Sequence, residues 1–204
     1  MLGSFAWRSG AAALALLAGI AAAPAGAHAA ERVVRLDAVM AAGGEPIYDA
    51  MAIGIWRLQG GEPVKRVAER HAAPAEIALA PGRYRVQAVY GKARRVTDFT
   101  VASDGKARRT INLEAGRVRL KLLERPGGAP VAKPVDWEIR RYRRGDDQGR
   151  EIAALRDAQP HVRLAAGWYE VAARYRGNTV RHAVEVTAGR SFTYTIVLGG
   201  DAGG

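Results

Sequence analysis

The chain contains the same segment twice. Leu79–Tyr90, with the sequence LAPGRYRVQAVY, recurs as Leu164–Tyr175, with the sequence LAAGWYEVAARY. Flanking positions return at a shift of 84 or 85 residues: Val34, Leu36, Gly43, Gly44, Pro46, Val101, Ile111 and Leu113 recur as Val118, Leu120, Gly127, Gly128, Pro130, Val186, Ile196 and Leu198. Such a constant shift indicates one folding unit duplicated in tandem. Repeated positions then form the scaffold, and function is to be sought where the copies differ.

Within each copy, apolar residues alternate with polar ones. Tyr84, Val86, Ala88 and Tyr90 lie on one face of the first motif, and a period of two predicts a strand with one buried face. Similar runs are Val33–Ala38, Met51–Leu58, Ala75–Leu79, Arg95–Val101, Arg108–Leu113, Arg117–Leu123, Val135–Tyr142, Pro160–Leu164, Thr179–Val186 and Phe192–Leu198.

Turns rich in Gly and Pro separate these runs. Six or seven short strands per copy predict an all-β chain of two tandem immunoglobulin-like or transthyretin-like β-sandwiches. Only Pro63–His71 and Gln148–Ala158 have a composition that allows a turn of helix.

The repeated Gly-x-Tyr-x-Val motif predicts a tyrosine corner in each unit. In such a corner the hydroxyl of a tyrosine near the start of a late strand bonds back to the preceding backbone. We therefore expect Tyr84 and Tyr169 to be buried structural residues, with Gly82 and Gly167 allowing the sharp turn into the strand.

The first residues have the pattern of a secretory signal peptide. Arg8 is the only charge before Glu31, Ala11–Ala23 is apolar, and Ala27 and Ala29 supply the small residues of a cleavage site. The apolar run is shorter than the ~20 residues that a spanning helix needs. We therefore predict a signal peptide over residues 1–29, sandwich repeats over 30–116 and 117–200, and a flexible tail over 201–204. A periplasmic or secreted protein that is not transmembrane follows from this prediction.

The strand spacing and one motif also resemble a known family. Leu79, Pro81, Gly82, Tyr84 and Val86, followed by a Gly turn and a Val-x-Val strand, are similar to the carboxypeptidase-regulatory-like (transthyretin-like) and Cna-B-like β-sandwich modules of exported bacterial proteins. The segment Val135–Ile139 is typical of the same modules. The copies depart from the pattern at Ile53, where the second copy has Trp137, and at Ala166, where the first has Pro81. The resemblance implies a non-catalytic adhesive, spacer or accessory module.

The chain is strongly basic, with a formal net charge of +11, and loss of the leader removes only Arg8. Such a charge predicts an anionic partner attracted by the long-range field. A second interpretation is compositional, because Ala, Gly and Arg are abundant throughout. Outside the cytoplasm, nucleic acid is not an expected partner. The expected partners are an anionic polysaccharide, lipid headgroups or an acidic envelope protein.

No catalytic constellation is recognisable. After the leader the chain has no cysteine, two serines (Ser103 and Ser191) and three histidines (His71, His161 and His182). Neither serine lies in a nucleophile elbow, and the histidines lack the spacing of zinc ligands. We predict no catalytic residue, no metal site and no cofactor.

One local excess of charge distinguishes the second copy. Arg140, Arg141, Tyr142, Arg143 and Arg144 form an uninterrupted basic segment, whereas the corresponding stretch of the first copy, residues 54–60, holds a single Arg57. Arginine suits carboxylate and phosphate, and tyrosine can stack on a sugar ring. We predict an anion-binding edge here. The regular strand should end near Arg140 and the following residues should lie in an exposed turn, because Arg141 and Arg143 would otherwise be buried as unpaired guanidiniums. The alternative is a solvated edge strand charged against aggregation.

These observations favour an exported, non-enzymatic accessory or binding module for an anionic partner. Two other classes stay open. A polysaccharide or peptidoglycan hydrolase would need a carboxylate pair across a cleft, for which Asp136 and Glu138 are the candidates. A spacer or assembly subunit would show a broad apolar surface patch.

Overall fold

The computed structural model describes residues 30–104, 107–142 and 149–199, and these residues form fourteen strands and no helix. The strands are β1 (Arg32–Val39), β2 (Asp49–Gln59), β3 (Glu62–Ala73), β4 (Ala75–Leu79), β5 (Gly82–Tyr90), β6 (Ala93–Val101), β7 (Ala107–Asn112), β8 (Ala115–Leu123), β9 (Val135–Arg141), β10 (Glu151–Asp157), β11 (His161–Ala165), β12 (Gly167–Tyr175), β13 (Asn178–Val186) and β14 (Ser191–Val197). The predicted signal peptide and tail lie outside the described residues.

The two halves have the same topology. The first contains a three-stranded sheet β4-β1-β7 and a four-stranded sheet β3-β2-β5-β6, and the second contains β11-β8-β14 and β10-β9-β12-β13. In each three-stranded sheet the central strand pairs antiparallel with one neighbour and parallel with the other. Each strand of the first unit therefore corresponds to the strand seven places later. The predicted fold class, two tandem β-sandwiches, is confirmed.

Each sandwich encloses its own apolar core. The first cluster of buried residues runs from Val34 to Ala115 and the second from Val118 to Ile196. The alternating residues of the repeated motif face inward as predicted, because Tyr84, Val86, Tyr169 and Val171 are at most 2% exposed. The duplicated motif thus forms equivalent parts of two separate cores.

The two segments with helix-compatible composition are strands instead. Pro63–His71 lies in β3 and most of Gln148–Ala158 lies in β10. In the first unit Gly60 and Gly61 both have positive φ, which is the geometry of a two-residue hairpin turn. This turn sends β3 back along β2. The strand is an almost wholly exposed edge with three register irregularities, so it lacks the alternation that marks a half-buried strand in sequence.

The two sandwiches adjoin through a short connection. Only Leu113 and Glu114 lie between β7 and β8, and the Glu114 carbonyl accepts a hydrogen bond of 2.7 Å from the amide of Ala166. The amide of Gly189 likewise donates to the Ala115 carbonyl at 2.8 Å. Backbone bonds therefore connect the second unit to the end of the first. Within the described residues, no helix has the length and apolar character needed to cross a membrane.

Candidate anion-binding surface

Both predicted tyrosine corners are present. The hydroxyl of Tyr84 donates to the Ala80 carbonyl at 2.6 Å, and the hydroxyl of Tyr169 donates to the Ala165 carbonyl at the same distance. Each bond spans four residues and closes the turn before β5 or β12. These tyrosines are scaffold residues, as the sequence predicts.

The second corner has an additional partner in Arg141, the last residue of β9. Its guanidinium donates to the Tyr169 hydroxyl at 2.7 Å and to the Ala166 carbonyl at 3.1 Å, and it lies 4.9 Å from the centre of the Tyr169 ring. Burial raises the pKa of Tyr169, and the neighbouring Arg141 charge opposes that rise. Gly167 has φ +137°, and a Cβ there would come within 2.5 Å of this guanidinium. Glycine is therefore required for the arginine to cover the corner.

Arg141 has a structural counterpart in the first unit. Arg57 is paired with Tyr84 across β2 and β5 just as Arg141 is paired with Tyr169 across β9 and β12. The expectation that Arg141 lies in an exposed turn is thus wrong. The strand extends through it, and its inward-facing charge is stabilised by hydrogen bonds and the ring. Since this position is shared by the two copies, Arg141 belongs to the scaffold.

Arg140 lies on the outer face of the same strand and is also paired. Its Nε donates to the Glu138 carboxylate at 2.6 Å, and the two side chains remain about one third exposed, at 33% and 28%. Arg140 also lies opposite Glu170 of β12. Its charge is therefore shared with carboxylates. Arg143 and Arg144 lie outside the described residues.

Tyr142 lies beside an exposed tryptophan that the sequence analysis did not single out. The Tyr142 amide donates to the Trp168 carbonyl at 3.0 Å, which continues the β9–β12 ladder by one further pair. Because side chains alternate along a strand, both side chains belong to the outer face, opposite the corner. They are 42% and 48% exposed. In sequence, the signal was a tryptophan on the solvent-facing side of an alternating strand.

The acidic candidates for catalysis are bound by arginines. The Asp136 carboxylate lies 3.3 Å from the Arg156 guanidinium, and Glu138 is bound by Arg140. Both line a shallow depression of about 410 Å³ on the outer face of the sheet. Across residues 30–104, 107–142 and 149–199, no group of three or more His, Cys, Asp or Glu side chains could hold a metal ion.

The molecule is thus a pair of tandem β-sandwiches. At one end of an outer face of the second unit, two aromatic side chains are exposed next to an arginine-rich segment. Residues 117–198, which make up the second unit, match a family described as the Rhizobiales growth-associated tandem repeat domain. No curated protein matches the chain.

Several solved structures are similar in fold at low identity. The minor pilin of Streptococcus agalactiae is 14% identical, with 82% of this chain and 95% of that chain covered and a TM-score of 0.40. A putative adhesin from Bacteroides thetaiotaomicron is 9% identical, with 82% and 92% covered and a TM-score of 0.42. The Bacillus anthracis TIE protein is 15% identical, with 83% covered but only 34% of that chain, and a TM-score of 0.34. The likeness is one of fold alone.

Proposed function

We propose that the protein is an exported, non-enzymatic binding module of the cell envelope, and that its second sandwich contacts an anionic polysaccharide. The observation that carries this proposal is the exposed pair of Tyr142 and Trp168 at the end of the face where the segment Arg140–Arg144 begins. Export rests on the signal-peptide pattern of residues 1–29. The resemblance to carboxypeptidase-regulatory-like and Cna-B-like modules supports a non-catalytic role.

The chemistry of the pair favours a glycan over the other anionic partners. Aromatic rings offer large, rigid apolar faces that also carry a polar tip, and such faces suit the C–H surface of a sugar ring. Arg143 and Arg144, which follow in the chain, would supply bidentate contacts to carboxylate or phosphate groups. Arg141 is left out of this contact because its guanidinium faces the Tyr169 corner and donates to the Tyr169 hydroxyl and the Ala166 carbonyl.

Two competing classes receive less support. A hydrolase would use Asp136 and Glu138, but an arginine binds each carboxylate. A spacer or assembly subunit would present a broad apolar surface. In the described parts of the chain, the large exposed apolar side chains apart from Tyr142 and Trp168 are spread over β1, the β1–β2 connection, β3 and β6.

The proposal is tested by binding of the processed chain to polygalacturonate, a linear polymer of uronic acids. We expect Trp168→Ala to weaken binding by about tenfold, which corresponds to ~1.4 kcal/mol and exceeds the ~1 kcal/mol that truncation of most interface residues costs at most. Tyr48→Ala is the matched control, since Tyr48 is an exposed aromatic residue of the first unit, at 73% exposure.

Equal affinities for wild type, Trp168→Ala and Tyr142→Ala would contradict the aromatic contact. Release of new reducing ends from the polymer by the wild-type protein would contradict the non-enzymatic assignment.

A further inference from the structure

The outer face of the second three-stranded sheet carries an excess of positive charge. On β8 the inward residues Val118, Leu120 and Leu122 are buried, so Arg117, Arg119 and Lys121 alternate to the outside. The register places Arg163 and Ser191 on either side of Arg117. The next row is His161, Arg119 and Thr193, and Thr195 lies beside Lys121.

The equivalent face of the first unit is electrically balanced. There Arg35 of β1 lies between Glu76 of β4 and Arg108 of β7. Asp37, only 2% exposed, accepts hydrogen bonds from both arginines, at 3.2 Å from Arg35. Arg35 also lies 3.8 Å from Glu76. Two carboxylates thus offset two guanidiniums.

The duplication shows which residues changed that balance. Because the topology and register of the sheets correspond, Asp37 is matched by Lys121 and Glu76 by His161. Two uncharged residues are also replaced by arginine: Val33 and Ala78 correspond to Arg117 and Arg163. In the opposite direction, Thr193 replaces Arg108, which removes one cation. The three strands of the second unit therefore present four permanent cations and no outward carboxylate.

Few of these cations are neutralised by neighbours. Arg163 pairs with Asp49 of the first unit at 3.1 Å, and Arg119 donates to the uncharged Gln159 at 2.8 Å. Among the described residues no carboxylate lies within ion-pair distance of Arg117 or Lys121. Arg117 is exposed and Lys121 is partly exposed. These two cations therefore remain available to an external anion.

We propose that this basic face, formed by Arg117, Arg119, Lys121, His161 and Arg163, binds an extended anionic glycan chain. All of these residues except Lys121 line a shallow depression of about 410 Å³, together with Ser191 and Thr193. Lys121 follows on β8, one outward position beyond Arg119. Cations on β8 recur every second residue, ~6.6–6.8 Å apart, which suits a linear polymer with regularly spaced carboxylates. Hydroxyl side chains along β14 can bond the sugar hydroxyls between those charges.

A glycan fits this face better than a membrane surface does. Peripheral membrane attachment combines cations with apolar side chains that insert into the lipid. None of the large exposed apolar side chains in the described residues lies on β8, β11 or β14. The face also belongs to the sheet opposite the one that carries Tyr142 and Trp168, so it is a second surface. The present inference rests on the proposed function only in one respect, which is that the partner is an anionic glycan.

The test installs the first unit's carboxylates in the second. The double variant Lys121→Asp/His161→Glu restores the residues found at the matched positions, Asp37 and Glu76. Lys65→Asp/His71→Glu is the control, because it makes the same charge change at two exposed positions of the edge strand β3. With polygalacturonate at low salt, we expect at least about a tenfold loss of affinity for the first variant and less than about threefold for the control.

A single substitution distinguishes loss of the binding surface from misfolding of the protein. Arg117→Val also installs the first unit's residue, Val33, and removes a side chain that is exposed. It should keep the wild-type thermal unfolding and still lose affinity, and the loss should shrink as salt screens the charges.

Equal losses of affinity from the double variant and its control would mean that binding depends only on the net positive charge of the protein, and this would overturn the proposal. So would binding to vesicles of anionic lipid in preference to the glycan. If the basic-face variants bind normally while Trp168→Ala does not, this face fails and the proposed function stands. If wild type binds no anionic polymer at low salt, both fail.

Discussion

The guanidinium of Arg163 in the second sandwich lies 4.2 Å from the centre of the Tyr90 ring in the first. The Tyr90 hydroxyl donates to the Asp49 carboxylate at 2.7 Å, and Arg163 reaches that carboxylate at 3.1 Å. The backbone of Arg163 also accepts a bond of 3.0 Å from the Lys92 amide. Tyr90, Asp49 and Arg163 thus form one contact that joins the two units.

Removing this contact should loosen the joint without unfolding either unit. We expect Arg163→Ala to separate the thermal unfolding of the two sandwiches into two resolvable transitions, whereas the wild-type protein unfolds in one. Differential scanning calorimetry makes the comparison, with Arg174→Ala, an exposed arginine of the same unit, as control. A single unchanged transition in the Arg163 variant would contradict a stabilising role for the joint.

The joint should weaken in acid. The hydrogen bond from Tyr90, the amide of Ala50 and the charge of Arg163 hold the pKa of Asp49 below its usual value. Because the pKa of Asp49 is lower in the folded state than in the unfolded state, where it is about 3.9, the ionised carboxylate stabilises the folded protein at pH values above about 3.9. This stabilisation is lost as the pH falls through the pKa of the folded state. The stability difference between wild type and Asp49→Asn should therefore be constant near neutrality and shrink below about pH 4. Urea denaturation across this range measures it, and a difference that grows in acid would contradict the assignment.

The two tyrosine corners should differ in strength. Tyr84→Phe removes one hydrogen bond and should cost about 1 kcal/mol of unfolding free energy. Tyr169→Phe also removes an acceptor of the charged Arg141 and should cost about 2 kcal/mol, because bonds to charged groups are stronger. Chemical denaturation of both variants measures the two costs. Equal costs would mean that Arg141 contributes nothing through the hydroxyl.

Core and surface positions of the same strand should respond differently. Val171 is fully buried and Arg174 is exposed on β12. Val171→Ala should cost about 2 kcal/mol through lost burial and a residual cavity, and Arg174→Ala should change stability by less than about 0.5 kcal/mol. Denaturation midpoints compare the two, and a larger loss from the arginine variant would refute the inward orientation of the repeated motif.

The sequence predicted the scaffold well because the scaffold is local and repeated. Alternation within Tyr84–Tyr90 and Tyr169–Tyr175 set the buried face, and the spacing of tyrosine, glycine and valine set the corner. The strand β3 escaped prediction because an exposed edge strand has no apolar face to reveal its period. Its pairing depends on the turn at Gly60 and Gly61.

The candidate surfaces were harder to predict because they depend on register. Arg141 reads as one of five basic-segment residues in sequence, and only its pairing with Tyr169 shows that it is scaffold. The basic face combines β8, where alternate basic residues are visible, with His161 and Arg163, which lie about forty residues later in the chain. Only the pairing of β11 with β8 brings them together.

The central claim is that the second sandwich, and not the first, contacts the anionic glycan. The most direct test is an NMR titration of the processed chain with oligogalacturonate, in which the chemical shifts of the backbone amides and tryptophan indoles are followed. We predict that shifts change along β8, β11 and β14 and at the Trp168 indole, while the Trp56 indole and the strands of the first unit away from the joint stay constant. Changes spread equally over both sandwiches, or confined to the first, would contradict the account.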